Sequence, residues 1–232
     1  MHTQGLYGWR VDGRDLLQHS ALDSDPRRLG RAVADTALAA LAEKGAEGLR
    51  EDVRRIRLVD RAEAPTHDDI RAVRAWTAQR GVDMPKSHQT YEALLGPLCG
   101  HLDACLALGL MPDGRDLAAN GYLSEWAYCV NLDDASLEVY SGQHRTTHAD
   151  GRFAALERDS AILYAPIRLL AALPLDALPA AWWETVDDLD TLLKDAVAGT
   201  TLSGHSRAAA LTLHERYGPH SARPNAIPQN PA

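Results

Sequence analysis

Apolar and polar positions alternate through residues 125–132: Trp126, Tyr128, Val130 and Leu132 fall on one face, Glu125, Ala127, Cys129 and Asn131 on the other. A period of two with aromatic and β-branched content predicts a half-buried strand. Asp133-Asp134-Ala135-Ser136 follows as turn chemistry, because Asp and Ser bond their own backbone and tolerate tight bends. Residues 137–140 return as the partner strand, and Ser141-Gly142 ends it. A second hairpin is predicted over residues 5–17, where Asp12-Gly13 is a preferred pair for a two-residue turn with positive φ at both positions. That register sets Arg10 opposite Asp15 and Trp9 opposite Leu16.

Between and after the hairpins the period changes to that of helices. Asp25-Pro26 opens one, with Asp as N-cap and Pro at the first helical position, and Gly45 stops it. Further helices are predicted over 47–56, 66–80, 89–109 (kinked or split at Gly96-Pro97), 180–198 and 206–217. Residues 111–116 read as a loop and 143–158 as polar and irregular. Residues 160–173 are apolar enough for a strand, in which Pro166 marks an edge, bulge or break. These elements predict an α+β fold: an antiparallel sheet built from the N-terminal hairpin, the central hairpin and a following strand, packed with several helices. Residues 1–217 form a single domain, and residues 218–232, with four prolines, form a C-terminal tail.

Composition narrows the function classes. The chain has 232 residues, 45% hydrophobic and 24% charged, which suits one globular domain. A net charge of −8 argues against a nucleic-acid or anionic-membrane binder. No apolar run approaches the roughly 20 residues that span a bilayer, and the N-terminus lacks the basic and apolar regions of a signal peptide. Three cysteines, Cys99, Cys105 and Cys129, without a disulfide framework fit a reducing compartment, so the expected location is cytoplasmic. Nothing here sets the oligomeric state, and a homo-oligomer is compatible with the sequence.

Candidate chemistry is sparse. Cys99-x-His101-x3-Cys105 and His144-x3-His148 lack the tight paired spacing of zinc sites, and no metal is expected. There is no G-x-S-x-G, no phosphate-binding P-loop and no dinucleotide fingerprint, so no cofactor is expected. Ser124 lies beside Glu125 but has no base in sequence reach. Arg50, Arg54, Arg55 and Arg57 read either as a phosphate site or, with Glu47, Glu51 and Asp52 beside them, as a solvated helix face. General acid–base chemistry remains. Asp23 and Glu125 come from loop and strand ends that can converge, with Arg10 as an anion anchor; burial raises a carboxyl toward a useful basicity. The competing reading is a structural Arg10–carboxylate pair that ties the two hairpins together.

Two motifs carry a resemblance. The chain opens M-H-T-Q-G-L-Y-G-W-R-V-D-G and continues H-S-A-L-D-S-D-P-R-R-L-G; later it reads Y-L-S-E-W-A-Y-C-V-N-L-D-D-A-S-L-E-V-Y. It resembles a set of uncharacterised proteins of actinobacteria, other bacteria and phages. Those open M-G-T-R-G-L-Y-G-F-R, then a D-G turn and Y-N-H-F-D-S-Y-P-x-x-L-G, and later carry L-F-C-E-W-A-Y-V-I-N-L-D-x-x-T-L-E-V-Y. The set's Asn, His and Cys fall on Ser20, Ala21 and Ser124 here, while Gly5, Arg10, Asp23, Glu125, Trp126, Tyr128 and Asn131 match. The expected site therefore has Glu125 and Asp23 as catalytic groups, with Arg10, Trp126, Tyr128 and Asn131 binding substrate. The expected function is a cofactor-independent hydrolase- or transferase-like enzyme acting on a small molecule or peptide. The alternative is a non-catalytic protein-interaction module of phage or mobile-element origin.

Overall fold

The computed structural model describes residues 3–21, 23–84, 88–145, 149–157, 163–195 and 204–219 of the chain. The fold is α+β. Strands β1 (Gly5–Val11) and β2 (Arg14–Ser20) make the first hairpin, turning at Asp12 and Gly13 with φ of 52° and 73°. The register is the expected one, Trp9 opposite Leu16 and Arg10 opposite Asp15. Asp25 caps the next segment by accepting the Arg27 N–H at 2.7 Å. A wide helical turn at Pro26–Gly30 then leads into α1 (Arg31–Arg54). Gly45, at φ 68° and ψ 172°, breaks α1 where the sequence ends one helix and starts another.

A small lobe follows: β3 (Arg57–Val59), α2 (His67–Arg80), α3 (Tyr91–Leu95), α4 (Leu102–Leu108) and β4 (Leu110–Pro112). Thr66 caps α2 by accepting the Asp69 N–H at 3.1 Å, and left-handed Gly81 and Gly109 close α2 and α4. β3 and β4 pair in parallel as a separate two-stranded sheet. Sequence reading misses both, because three residues are too few to establish a period.

The central hairpin is β5 (Trp126–Asn131) and β6 (Ser136–Ser141). β7 (Arg168–Pro174) pairs with β6, and α5 (Trp182–Asp195) and α6 (Gly204–Tyr217) complete the fold. β7 starts after Pro166, which has no N–H to give a ladder. Residues 158–162 and most of the expected tail lie outside the described residues.

The five-stranded sheet runs β2-β1-β5-β6-β7. Most pairs are antiparallel, but β1 and β5, which join the hairpins, are parallel, from Gly5 opposite Trp126 to Arg10 opposite Asn131. The sheet is therefore mixed rather than purely antiparallel. β2 returns the chain to the end of the sheet where β1 begins, and the helical stretch delivers β5 to that same end. Parallel neighbours need such a long connection.

Both faces of this sheet are covered. Tyr7, Trp9, Tyr128, Val130 and Val139 pack against Val33 and Ala37 of α1 and Trp182, Val186 and Leu189 of α5. On the other side Leu6, Leu17, Ala127, Tyr140 and Leu169 lie under Ala118, Phe153 and Ile167. Every residue of β5 is consequently buried, not half-buried as alternation alone implies.

The hairpin tips are tied by one carboxylate. Asp133, in the β5–β6 turn, accepts the Asp12 N–H at 2.7 Å and the Gly13 N–H at 2.8 Å. The helical arginines converge on the same tips. Arg54 pairs with Asp12 at 2.8 Å, and Arg50 donates to the Leu132 carbonyl and lies 3.8 Å from Asp133. Arg55 pairs with Asp52, and Arg57 with Asp69 at 2.8 Å. The arginine run is thus engaged within the chain. Asp133→Ala removes both tip bonds and is expected to cost about 1–3 kcal/mol of stability, read as a lower urea midpoint; an unchanged midpoint would show that the tips do not hold the hairpins.

Candidate functional site

The six sequence candidates separate into two groups. Glu125 precedes β5 and donates its N–H to Gln4 O at 2.9 Å, so it lies at the end where β1 and β5 start. Arg10 lies opposite Asn131 at the far end of the same pair. Six positions of strand, at about 3.3 Å each, put some 20 Å between them. The shared hollow expected for Arg10 and Glu125 does not form.

At the far end the candidates are structural. Arg10 pairs with Asp15 at 2.9 Å and lies 3.7 Å from Asp133, which is the hairpin-tying arrangement. Asn131 donates to Glu138 at 2.8 Å and Asp134 at 3.2 Å, and its carbonyl accepts the N–H groups of Asp133 and Asp134 at 3.0 and 3.2 Å. That uses the two donors and two lone pairs of the amide, leaving nothing for a ligand. Glu138 is also met by Tyr140 at 2.9 Å and by Arg152, whose guanidinium also reaches Asp15 at 2.8 Å. Burial opposes the charge of Arg152, but the neighbouring Cys129, Tyr140 and Glu138 hold its pKa above the ordinary arginine value.

Tyr128 and Trp126 are core. Tyr128 is fully buried, its hydroxyl donates to Ser24 O at 2.8 Å, and its ring meets Trp182 edge-on at 6.5 Å. Trp126 is 4% exposed. Tyr128 seats the Asp23–Asp25 loop on the sheet. Gly5 allows that seating, because a Cβ there would lie 2.4 Å from Trp126 O and 2.6 Å from Ser24 Cβ.

Glu125 and Asp23 share the near end, where the charge of Asp23 acts on Glu125. The Asp23 carboxylate accepts the Thr3 hydroxyl at 2.8 Å and lies 3.4 Å from Arg28 Nε. Glu125 is half-buried, and its pKa is raised by that burial, with the negative charges of Asp190, Asp23 and Asp25 adding to it and Lys194 opposing.

Three further residues complete this end, and sequence reading assigns none of them to a site. Ser141 closes β6. Its hydroxyl donates to Asp190 and lies 2.7 Å from His144 Nε2. Asp190 is held in turn by Lys194 at 2.7 Å, one helical turn away on α5. With the hydroxyl proton given to Asp190, the His144 contact is made by the tautomer that carries its proton on Nε2. In that arrangement the order is imidazole to hydroxyl to carboxylate, with the Lys194 ammonium behind it. Burial raises the pKa of Asp190 against the pull of Lys194, and burial followed by Asp25 raises that of Asp187.

The turn that brings His144 back onto Ser141 is strained. Gln143 has φ 61°, a left-handed conformation uncommon for a residue with a side chain. Gly142 is required before it, because a Cβ would come within 2.0 Å of Ser124 O. The Gln143 N–H to Gly121 O bond at 2.7 Å and the Ala165 N–H to His144 O bond at 2.7 Å hold the turn. One signal in the sequence points here: Asp190 lies four residues after Val186, on the apolar stripe of α5, where an acid is out of place.

Among the described residues, no group of three or more His, Cys, Asp or Glu side chains is disposed to hold a metal ion. Cys105, from the Cys–His spacing, faces the core and takes the Gln18 amide at 3.0 Å; burial pushes its thiol up to about 12. No described helix is long and apolar enough to cross a membrane.

The raised carboxyls have a fixed sign in linkage. Glu125 binds its proton more tightly folded than unfolded, so the native state loses stability as pH rises through the interval between the two pKa values. Below the unfolded value both states are protonated and the penalty vanishes. Glu125→Gln is therefore expected to raise the thermal midpoint near pH 7 and to leave it unchanged near pH 3; a destabilisation at neutral pH that persists in acid would contradict this. Compared with known protein families, with curated proteins and with solved structures, the chain finds no match in any of the three.

Proposed function

We propose that the chain is a cofactor-independent hydrolase- or transferase-like enzyme that acts on a small molecule or peptide by carboxylate acid–base chemistry. Glu125 is the proton-transfer group and Asp23 orients it. The observation that carries this reading is the setting of Glu125: half-exposed, raised in pKa, and within the field of the Asp190–Lys194 pair that ends the His144–Ser141 chain. A carboxyl must be reachable and must have its pKa moved toward the working pH to serve as a general acid or base. Ionised Glu125 takes the proton of an attacking water or hydroxyl and returns it to the leaving group. His144, Ser141 and Asp190 are positioning residues, since Ser141 has no exposed surface. Lys194 supplies positive charge beside the reacting centre. Arg10, Tyr128 and Asn131 are assigned no contact with substrate.

One surface favours the non-catalytic reading. Tyr122 is 59% exposed and stacks on Tyr164 at 5.5 Å, with Leu163 at 70% beside it and Arg145 5.9 Å over the Tyr164 ring. Trp182 and Trp183, the more obvious aromatic pair in the sequence, are buried and partly buried on the sheet.

The test is turnover of a panel of nitrophenyl esters, aminoacyl and peptidyl nitroanilides and nitrophenyl phosphates. One class is expected to react. Glu125→Gln should then lower kcat by about 10²–10⁴-fold with the fold intact, and Asp190→Asn should shift the pH profile. Full activity in Glu125→Gln, or no turnover of any class, would contradict the proposal and favour the interaction module.

A further inference from the structure

A cleft of about 530 Å³ is lined by Leu58, Val59, Asp60, Arg61, Asp113, Arg115 and Asp116, none of them a residue of the Glu125 site. It lies at the carboxyl ends of β3 and β4, which are parallel. Loops leaving that end of parallel strands are where α/β proteins place small ligands. The volume is in the range of small-molecule sites.

The walls are held rigidly. The Asp113 N–H extends the ladder to Val59 O at 2.9 Å, and the Gly114 N–H is fixed to Leu17 O of β2 at 2.8 Å. Gly114 cannot take a side chain, since a Cβ would lie 2.9 Å from the His19 nitrogen. Asp60 and Asp113 each turn back to accept a backbone N–H two residues on, at 2.8 and 3.1 Å.

The charges in the cleft are unevenly spent. Arg115 is committed to Asp113 through two bonds at 2.9 and 2.7 Å, and this guanidinium holds the Asp113 carboxyl below the usual range. Arg61 has a much looser ion pair, Asp116 at 3.6 Å, longer than a hydrogen bond. Its side chain is 31% exposed. A guanidinium so placed can fork a carboxylate. Asp60 and Asp116 are exposed nearby as acceptors. Half-buried Leu58 gives the cleft an apolar portion.

A ligand of one sign would face repulsion from half of this rim, and a neutral polyol would have no charge with which to displace Asp116 from Arg61. A compact zwitterion satisfies both signs at once. We propose that this cleft binds a free α-amino acid, its carboxylate on Arg61, its ammonium between Asp60 and Asp116, and its side chain over Leu58.

The experiment is a calorimetric titration of the full chain with each of the twenty amino acids, and separately with inorganic phosphate and with glycerol. At least one amino acid is expected to saturate at millimolar concentration or below. Arg61→Ala and Asp60→Asn should each weaken it about tenfold or more, while Glu125→Gln leaves it unchanged. Both variants alter exposed or half-exposed side chains, and circular dichroism confirms that they fold. The proposal is overturned if no amino acid binds at millimolar concentration, if binding survives Arg61→Ala, or if phosphate or glycerol binds as well as the best amino acid. Loss of binding in Glu125→Gln would also overturn it, by assigning the ligand to the Glu125 site instead.

Discussion

The parallel pairing of β1 with β5 is the constraint on which the rest depends. It joins two hairpins that are otherwise local structures, and it sets their register so that Gly5 meets Trp126 and Arg10 meets Asn131. An isolated two-stranded hairpin is marginal in water. Joined, the two make a sheet wide enough to take α1 and α5 on one face and Ala118, Phe153 and Ile167 on the other. Asp133 fixes the tips, and the Asp23–Asp25 loop, bonded through Ser24 to Gln4 O at 2.9 Å, fixes the starts.

A parallel joint also gives the sheet two chemically different ends. At the tip end the polar groups answer one another: Arg10, Asp15, Arg152, Glu138 and Asn131 form ion pairs and bonds that leave little capacity unspent. Such a closed network specifies the packing, because any unpaired member buried there would be costly. At the starting end the balance is different. Burial raises the pKa of Glu125, Asp187 and Asp190; acidic neighbours add to the shifts of Glu125 and Asp187, and Lys194 partly offsets those of Glu125 and Asp190. The fold tolerates there an arrangement that is worse for stability than neutral side chains would be. Perturbed groups of this kind concentrate at functional sites, and the strained Gln143 beside them is of the same character.

Local signals in the sequence account for much of the fold. Asp12-Gly13, Asp25-Pro26, Gly45, Thr66, Gly81 and Gly109 each act within a few residues, and each is found where its chemistry places it. The direction of the β1–β5 pairing was not legible, because a period of two says which face a side chain takes and nothing of which way the neighbouring strand runs. The same gap explains the site. Glu125 and Arg10 are both polar and both near strand ends, but only the pairing direction decides whether those ends coincide. Ser141, His144 and Asp190 are up to 49 positions apart and come together through a turn and a helix packing. Only the acid on the apolar stripe of α5 hinted at them.

The central claim is that the start of the β1–β5 pair holds a carboxyl whose proton affinity is raised by burial and by its acidic neighbours. Site-resolved carbon NMR of the Glu125 carboxyl across a pH titration measures this directly. The account predicts a midpoint above the ordinary glutamate value that falls toward it in Asp190→Asn. A midpoint at or below the ordinary value, or one indifferent to Asp190, would contradict it.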